Sequence, residues 1–387
     1  MKTLRPRAAP GYANVGIKIG VLRNSARGDG KFLYFRDTVK KVTIQDIAER
    51  LNISFSTVAR ALNDHPAISP ATKKKVRETA DKLHYRPNKV ASSLRSGRTH
   101  VIGVIVPSLH VNFFSSVVHG IDKIMNEHHY SILLYQSNES FAQEVKGIDT
   151  FLKSRVDGII ASITRETVHF DHYEEIRKRH IPLVLFDRTV DSLRVPSVRI
   201  DDYKGGFMAT EHLIGQGYRD IVHITADQDL AIAKERLRGY LDALRRYNLP
   251  VREELIIKGT FSAALGRKCI RELLAAKISF DAVFALEDFT ALGALQELQE
   301  RGIKVPAQVG VIGFANESFG TLVTPALSSI DQQTVRMGEI AADLFLETLK
   351  AGALKPAGAA GTRAAAGPRE VMLDPILMPR KSSQRKA

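Results

Sequence analysis

The spacing of apolar residues changes character near residue 100. In residues 42–63, VTIQDIAERLNISFSTVARALN, the side chains Ile44, Ile47, Ala48 and Leu51 fall at i, i+3, i+4 and i+7. That spacing lays one apolar stripe along a short helix. Thr43 precedes it as a cap, and Asp46 at the third helical position complements the helix dipole. Asn52 stands where the chain must turn, and asparagine tolerates the left-handed conformation better than most residues. Ser54 caps a second helix whose inner side is Val58, Ala61 and Leu62. Phe55, Ser56, Thr57, Arg60 and Asn63 are left pointing outward or at the rim, which is the arrangement that major-groove reading requires. Ser69-Pro70 starts a third helix with Val76, Ala80 and Leu83 inside, and Pro87-Asn88 starts a short fourth one carrying Val90, Ala91 and Leu94.

From Val101 the pattern becomes one of buried strands alternating with amphipathic helices. Val101–Val106 is a continuous apolar run, followed by a predicted helix over about 114–127, a strand at Ser131–Tyr135, a helix near 140–153 and a strand at Gly158–Ile163. The alternation continues through Leu183–Phe186, Ile221–Thr225, Leu255–Ile257, Ala282–Leu286 and Val309–Gly313. Such alternation predicts parallel sheets flanked by helices, and about ten units are too many for one ordinary open sheet. The expected class is therefore a small all-α helix-turn-helix headpiece followed by an α/β domain of two lobes.

Open parallel sheets bind ligands beyond the carboxyl ends of their strands, and two facing lobes form a cleft there. The candidates are Asn112, Phe113 and Phe114 after the first strand, Asp187 and Arg188, Phe261, Glu287 and Asp288, and Arg236 opening the helix RLRGYLDAL. Aromatic faces with a few carboxylates and guanidiniums suit a polyhydroxylated or polar ring. Each residue also has a plainer reading. Asp187 can cap a helix, Phe113 or Phe114 can be core, and Arg236 can pair with Glu235 or another acid.

Charge separates the same two regions. The 387 residues carry 56 Lys and Arg against 42 Asp and Glu, a net +14. Residues 1–40 hold nine basic against two acidic residues, residues 41–100 twelve against five, and residues 101–387 thirty-five of each. The positive excess thus lies in the first hundred residues, as expected if that part alone meets phosphate. Residues 1–40 have little helical or strand period and are either a disordered basic arm or an extension upstream of the true start. Residues 354–369, LKPAGAAGTRAAAGPR from 354, read as a flexible insert, Val371–Leu373 as a returning edge strand, and the basic tail 380–387 as disordered.

Little else in the chain calls for chemistry. Cys269 stands alone, so no intramolecular disulfide can form, no apolar run reaches spanning length, and the N-terminus lacks the apolar core of a signal peptide. A cytoplasmic protein is expected. There is no GxxxxGK[ST] and no GxSxG, so neither an enzyme nor a cofactor is expected. His169 and His172 beside Asp171 and Glu174 lack a third ligand, and the polar stretch reads as a solvated loop rather than a metal site.

Residues 42–99 resemble the DNA-binding headpiece and hinge of the LacI/GalR family of bacterial transcription regulators, through VTIQDIA, ISFSTVARALN, AISPATKKKV and YRPNKVASSLRSGRT. Residues 101–345 resemble the family's effector-binding domain, through IGVIVPSLHVNFF, VDGII, IPLVLFDR, VRIDDYKGGFMATEHLI, ERLRGYLDAL, LGALQEL and VGVIGFANES. The likeness divides the chain into a headpiece at 41–86, a hinge helix and linker at 87–100, a two-lobed effector-binding and dimerisation domain at 101–350, an insert at 351–370, and a strand and tail at 371–387. It implies a homodimeric repressor whose hold on a double-stranded DNA operator is controlled by a sugar-like effector.

Under that likeness Ser56 and Arg60 meet base edges, Phe55 a thymine methyl or sugar, and Thr43, Ser54, Thr57 and Asn63 phosphates. Asn88, Leu94 and Arg95 belong to a hinge helix that orders on DNA, with Leu94 wedged into the minor groove. Arg236 and Asp288 would clamp polar groups of the effector, with Phe113, Phe114, Phe261 and Asp187 on the walls. Glu287-Asp288 departs from the family's usual Asn-Asp, and Ser92 stands where the family often has arginine. A transport-type sugar receptor would instead require a signal peptide and no headpiece. A third possibility keeps DNA binding and makes the large domain only a dimeriser.

Overall fold

The computed structural model describes residues 42–86, 98–226, 230–353 and 369–385, in two compact units divided after Pro87. The first unit is three helices, α1 (Ile44–Leu51), α2 (Phe55–Leu62) and α3 (Pro70–Lys82). The caps fall as the side-chain chemistry predicts. Thr43 and Asp46 form a reciprocal capping box, the Asp46 carboxylate accepting the Thr43 N–H at 2.6 Å. Asn52 turns the chain at φ 52°, and Ser54 accepts the Thr57 N–H at 3.1 Å to start α2. Ile47, Val58, Ala61 and Val76 close over one another as a small core. The turn after α2 is held to α3 by Asp64, whose carboxylate meets Lys73 and Arg77 at 3.0 and 3.1 Å.

The second unit contains two parallel sheets. One has the order β11 (Glu370–Leu373), β5 (Ser197–Ile200), β4 (Leu183–Phe186), β3 (Ile159–Ala161), β1 (Val101–Val106), β2 (Ser131–Gln136). Helices α4 (Asn112–Glu127), α5 (Phe141–Lys153), α6 (Asp171–Lys178) and α11 (Thr334–Ala353) belong to this lobe, which has an apolar core on each sheet face. The other sheet runs β7 (Ile256–Gly259), β6 (Ile221–Ala226), β8 (Ala282–Ala285), β9 (Gly310–Ile312). It carries α7 (Asp202–Gly215), α8 (Ala231–Arg246), α9 (Ala263–Ala275) and α10 (Asp288–Glu300). A short antiparallel pair, β10 (Ser329–Asp331) with β12 (Ile376–Met378), completes the second lobe.

The chain crosses between the lobes after β5, after β10 and after β11. These crossings are tied together: the Asp201 N–H donates to Leu373 O at 3.0 Å, and Gln333 Nε2 to Asp374 O at 2.7 Å. Among the described residues no helix is long and apolar enough to cross a membrane.

Three helix pairs touch backbone to backbone through matched glycines. A Cβ on Gly206 of α7 would lie 2.3 Å from Arg236 O, and one on Gly239 of α8 2.2 Å from Tyr203 O. Gly120 and Gly338 serve α4 and α11 in the same way, and Gly266 and Gly293 serve α9 and α10. The lobes can therefore pack helices closer than side chains permit.

Several expectations need correction. SVRI, SID and ILM form β5, β10 and β12, which are too short and mixed to stand out as apolar runs. Helix α4 begins at Asn112 rather than 114, and α8 begins at Ala231, so Arg236 lies within it rather than opening it. The described part of the tail is packed rather than loose: Ser382 and Ser383 are fully buried, with Ser382 Oγ donating to Val311 O at 2.6 Å and Ser383 Oγ bonded to Ser328 Oγ at 2.7 Å. These bonds explain why a basic, polar tail does not come loose. Helix α11 runs to Ala353, and most of the expected insert lies outside the described residues, as do Asn88, Leu94 and Arg95. Val371–Leu373 does return, as the edge strand β11.

The Gly206 contact is testable. Gly206→Ala should lower unfolding stability by about 1–3 kcal/mol, as overpacking does, measured by denaturant titration. No change in midpoint would mean that α7 and α8 are not in backbone contact.

Candidate ligand cleft and nucleic-acid interface

The carboxyl ends of both sheets open onto one cavity of about 390 Å³ in the second unit. The first lobe contributes Val111, Phe113 and Phe114 from the β1–α4 connection, Glu139 after β2, and Asp187 and Arg188 after β4. The second contributes Ile232 and Arg236 of α8, Phe261 and Ser262 after β7, Leu286, Glu287 and Phe289 around the start of α10, and Ala315 and Glu317 after β9. Every wall thus comes from a strand end or the helix that follows one, as parallel topology requires.

Two guanidiniums face this cavity, and both are already paired. Arg236 is 4% exposed. Its Nε donates to Asp202 Oδ1 at 2.8 Å and its Nη1 to Leu286 O at 2.7 Å, with the group 3.5 Å from the Phe314 ring centre. Arg188 grips Glu139 with two bonds of 2.8 and 3.0 Å. Burial acts to raise the Glu139 carboxyl, yet the Arg188 bonds prevail and hold it below its ordinary value.

Asp187 is the opposite case. Its backbone sits at φ 60°, its side chain is 7% exposed, and among the described residues no hydrogen bond reaches its carboxyl. The nearest cation is Arg188 Nε at 3.9 Å. Burial pushes the Asp187 carboxyl from the ordinary 3.8 to about 7, opposed by Arg188 and reinforced by Asp202. Glu317, also buried, is raised by burial too, against a hydrogen bond from Asn112.

The paired acids after β8 divide the work in an order the sequence does not suggest. Glu287 lines the cavity and also caps α10, accepting the Phe289 and Thr290 N–H groups at 2.7 and 2.6 Å. Asp288, expected to clamp a ligand, does not line the cavity. It is 1% exposed and its two oxygens are taken by the Glu317 N–H and the Ser329 hydroxyl, both at 2.7 Å. Burial lifts it to about 7. Its part here is to fix Glu317 and β10. Phe113 and Phe114 are both mostly buried and both line the cavity, packed edge to face at 5.0 Å. Glu139 and Glu317 were missed. Glu139 follows a strand end just as Asp187 does, so the rule that found one could have found the other.

A second hollow of about 210 Å³ shares Asp187, Arg188 and Ile232 with the first and is walled by residues 163–170. That wall is fixed by the fully buried Glu144, which accepts from the Thr164 N–H at 2.6 Å and the Thr167 hydroxyl at 2.7 Å. His172 Nε2 lies 2.7 Å from the same carboxylate, with its side chain 7% exposed. The expected solvated loop is therefore corrected to a helix start with a buried histidine. Among the described residues no cluster of three or more His, Cys, Asp and Glu could hold a metal.

On the first unit α2 presents a polar, exposed face. Arg60 is exposed and has no partner among the described residues, and Phe55 is 51% exposed. Ser54 Oγ links to the hydroxyls of Ser56 and Thr57 at 2.9 and 2.8 Å, which orders three hydroxyls along the N-terminal turn. Asn63 is exposed at the C-cap, and Thr43 is engaged in capping α1.

A profile described as bacterial regulatory proteins of the lacI family matches residues 43–88. One described as periplasmic binding proteins and the sugar binding domain of the LacI family matches residues 99–372. The chain belongs to the LacI family. This LacI-family chain is 35% identical to catabolite control protein A of Priestia megaterium over 309 residues, 79% of the chain and 91% of that relative. It is 31% identical to the probable transcriptional repressor ExuR of Bacillus subtilis (strain 168) over 312 residues, 80% and 92% of the two. In architecture it resembles the lac repressor dimer bound to operator and the anti-inducer ONPF, with a TM-score of 0.76 and 24% identity, over 89% of this chain and 99% of that one.

The Asp187 environment gives a pH test. An acid whose carboxyl is raised on folding binds more protons folded than unfolded, so it costs stability progressively as pH rises from about 3.8 to about 7. Asp187→Asn should therefore gain stability over the parent across that window, by up to ~4 kcal/mol, and gain no more above it. Unfolding curves at pH 4, 6 and 8 measure this. A difference independent of pH would place Asp187 in water.

Proposed function

We propose that this LacI-family chain is a homodimeric transcriptional repressor that reads a two-fold DNA site with α2, its grip set by a carbohydrate-like ligand in the cleft. The observation that carries the DNA reading is Arg60, an exposed guanidinium without a protein partner on the polar face of α2. A guanidinium so placed can reach the O6 and N7 of guanine, with Ser56 and Phe55 beside it for a base edge or a thymine methyl. Two copies related by the dimer axis meet two half-sites. The family profile, the named repressor among the relatives and the operator-bound lac repressor dimer support this reading.

The cleft supports ligand control. It has aromatic walls at Phe113, Phe114 and Phe261 and a held guanidinium at Arg236, which suits a ring bearing hydroxyls. Such a ligand acts only through a difference in affinity between two arrangements of the lobes. The relatives reported above are regulators, and no reaction is assigned to the chain.

Selection from a random DNA pool with the purified full chain should return two-fold sites. Against those sites, Arg60→Ala should lose roughly 1–3 kcal/mol of discrimination from random DNA per half-site. Unchanged discrimination would remove α2 from the reading role.

A further inference from the structure

The charges around the 390 Å³ cavity do not balance. Its lining includes four carboxyls, Glu139, Asp187, Glu287 and Glu317, against two guanidiniums, Arg188 and Arg236. Both cations are already committed, Arg188 to Glu139 through two bonds and Arg236 to Asp202. Glu287 is partly engaged in the α10 cap, whereas among the described residues no hydrogen bond reaches the Asp187 carboxyl although its side chain is nine-tenths buried. Among the described residues Arg188 Nε is buried without a hydrogen-bond partner, 3.9 Å from Asp187 Oδ2, so an anion entering the cavity would compete for it with Asp187 and meet the other carboxyls. A cation would find a carboxyl held only by a long 3.9 Å ion pair to Arg188, with phenylalanine faces nearby, both of which attract it.

From this juxtaposition we infer that the cavity takes a polyhydroxylated ring bearing a protonated amine, the ammonium pairing with Asp187. The inference rests on reading the cleft as a carbohydrate site and adds the charge of the ligand. It carries a proton balance. Burial puts the Asp187 carboxyl near 7, so pairing with an ammonium would re-ionise it and send its proton to solvent. No covalent bond changes. The neighbouring hollow includes Arg165 and Arg199 in its lining, the latter 2.6 Å from Glu370, and an anionic ligand favoured by that side is an outcome the test detects.

The test is calorimetry on the full chain without DNA, at pH 6.5, with charge-matched sets. Glucosamine, galactosamine and mannosamine are each compared with the neutral parent hexose, and glucuronate, galacturonate and glucose 6-phosphate supply the anions. At least one amine should bind about tenfold or more tighter than its parent, the contribution of one charge-assisted hydrogen bond, and the anions should not compete. Binding heats in buffers of different ionisation enthalpy should report proton release for the amine and none for the parent. Asp187→Asn should bring amine and parent together. If that variant fails to fold, the buffer series on the parent protein carries the test.

An anion that binds best, a parent that binds as tightly as its amine, or amine binding without proton release would overturn the inference while leaving the carbohydrate reading intact. A chain that binds none of these sugars loses both. The DNA selection reads only α2 and is unaffected by either result.

Discussion

The architecture of the cleft depends on one buried cation. Arg236 reaches across from α8 to the Asp202 carboxylate and the Leu286 carbonyl, with its guanidinium on the Phe314 ring. Those contacts join the start of α7, the end of β8 and the loop after β9, three of the elements that shape the second lobe's wall. A buried guanidinium is costly unless each of its faces is met, and here a carboxylate, a carbonyl and a ring meet it. The position also depends on Gly206 and Gly239. Without their missing side chains α8 could not lie against α7 closely enough to hold Arg236 at Asp202. A backbone contact far from any ligand atom thus sets the geometry of the polar wall.

The first lobe answers with a different arrangement. Arg188 and Glu139 neutralise each other through two bonds, which leaves Asp187 beside them buried and, among the described residues, with only a 3.9 Å ion pair to Arg188. The two aspartates near Arg236 differ for the same reason. Asp202 is buried and paired, whereas Asp187 is buried and open to the cavity. Burial raises both, but only Asp187 has its charge still to be satisfied by something that enters.

What could be read from the sequence follows the strength of the local signals. The headpiece was legible almost to the residue because caps, a left-handed asparagine and an i, i+3, i+4 stripe agree with one another in 42–63. The doubly wound order was legible from buried runs such as Leu183–Phe186, which match the strand end for end. The short strands β5, β10 and β12 were not, since their pairing is decided by neighbours distant in sequence. The site was legible in position and less so in role. Strand ends located Asp187, Glu287 and Asp288, but which acid faces the cavity depends on two hydrogen bonds to Asp288 that arise only when β9 and β10 come together. The tail misled for a similar reason. KSSQRK reads as solvated, and only the folded second lobe supplies the buried partners of Ser382 and Ser383.

Asp288 holds two elements together, a part that direct ligand contact would preclude. Its oxygens bind the Glu317 N–H on the cavity side and the Ser329 hydroxyl on β10. From β10 the chain passes through Asp331, whose carboxylate accepts the Gln333 N–H at 2.6 Å, into α11 of the other lobe. Gln333 in turn holds Asp374 at a neighbouring crossing. Glu317, which lines the cleft, and the chain crossings between the lobes are therefore joined by hydrogen bonds at either end of β10. Hydrogen bonds are directional, so this link resists small displacements and favours discrete arrangements of the lobes. Ligand control needs such discreteness, since a ligand shifts DNA affinity only by preferring one arrangement to another. The polar groups lining the cavity are divided between the lobes, Asp187 with the Arg188–Glu139 pair on one side and Arg236 with Glu317 on the other, so under the proposed reading a ligand held by both sets would prefer one arrangement.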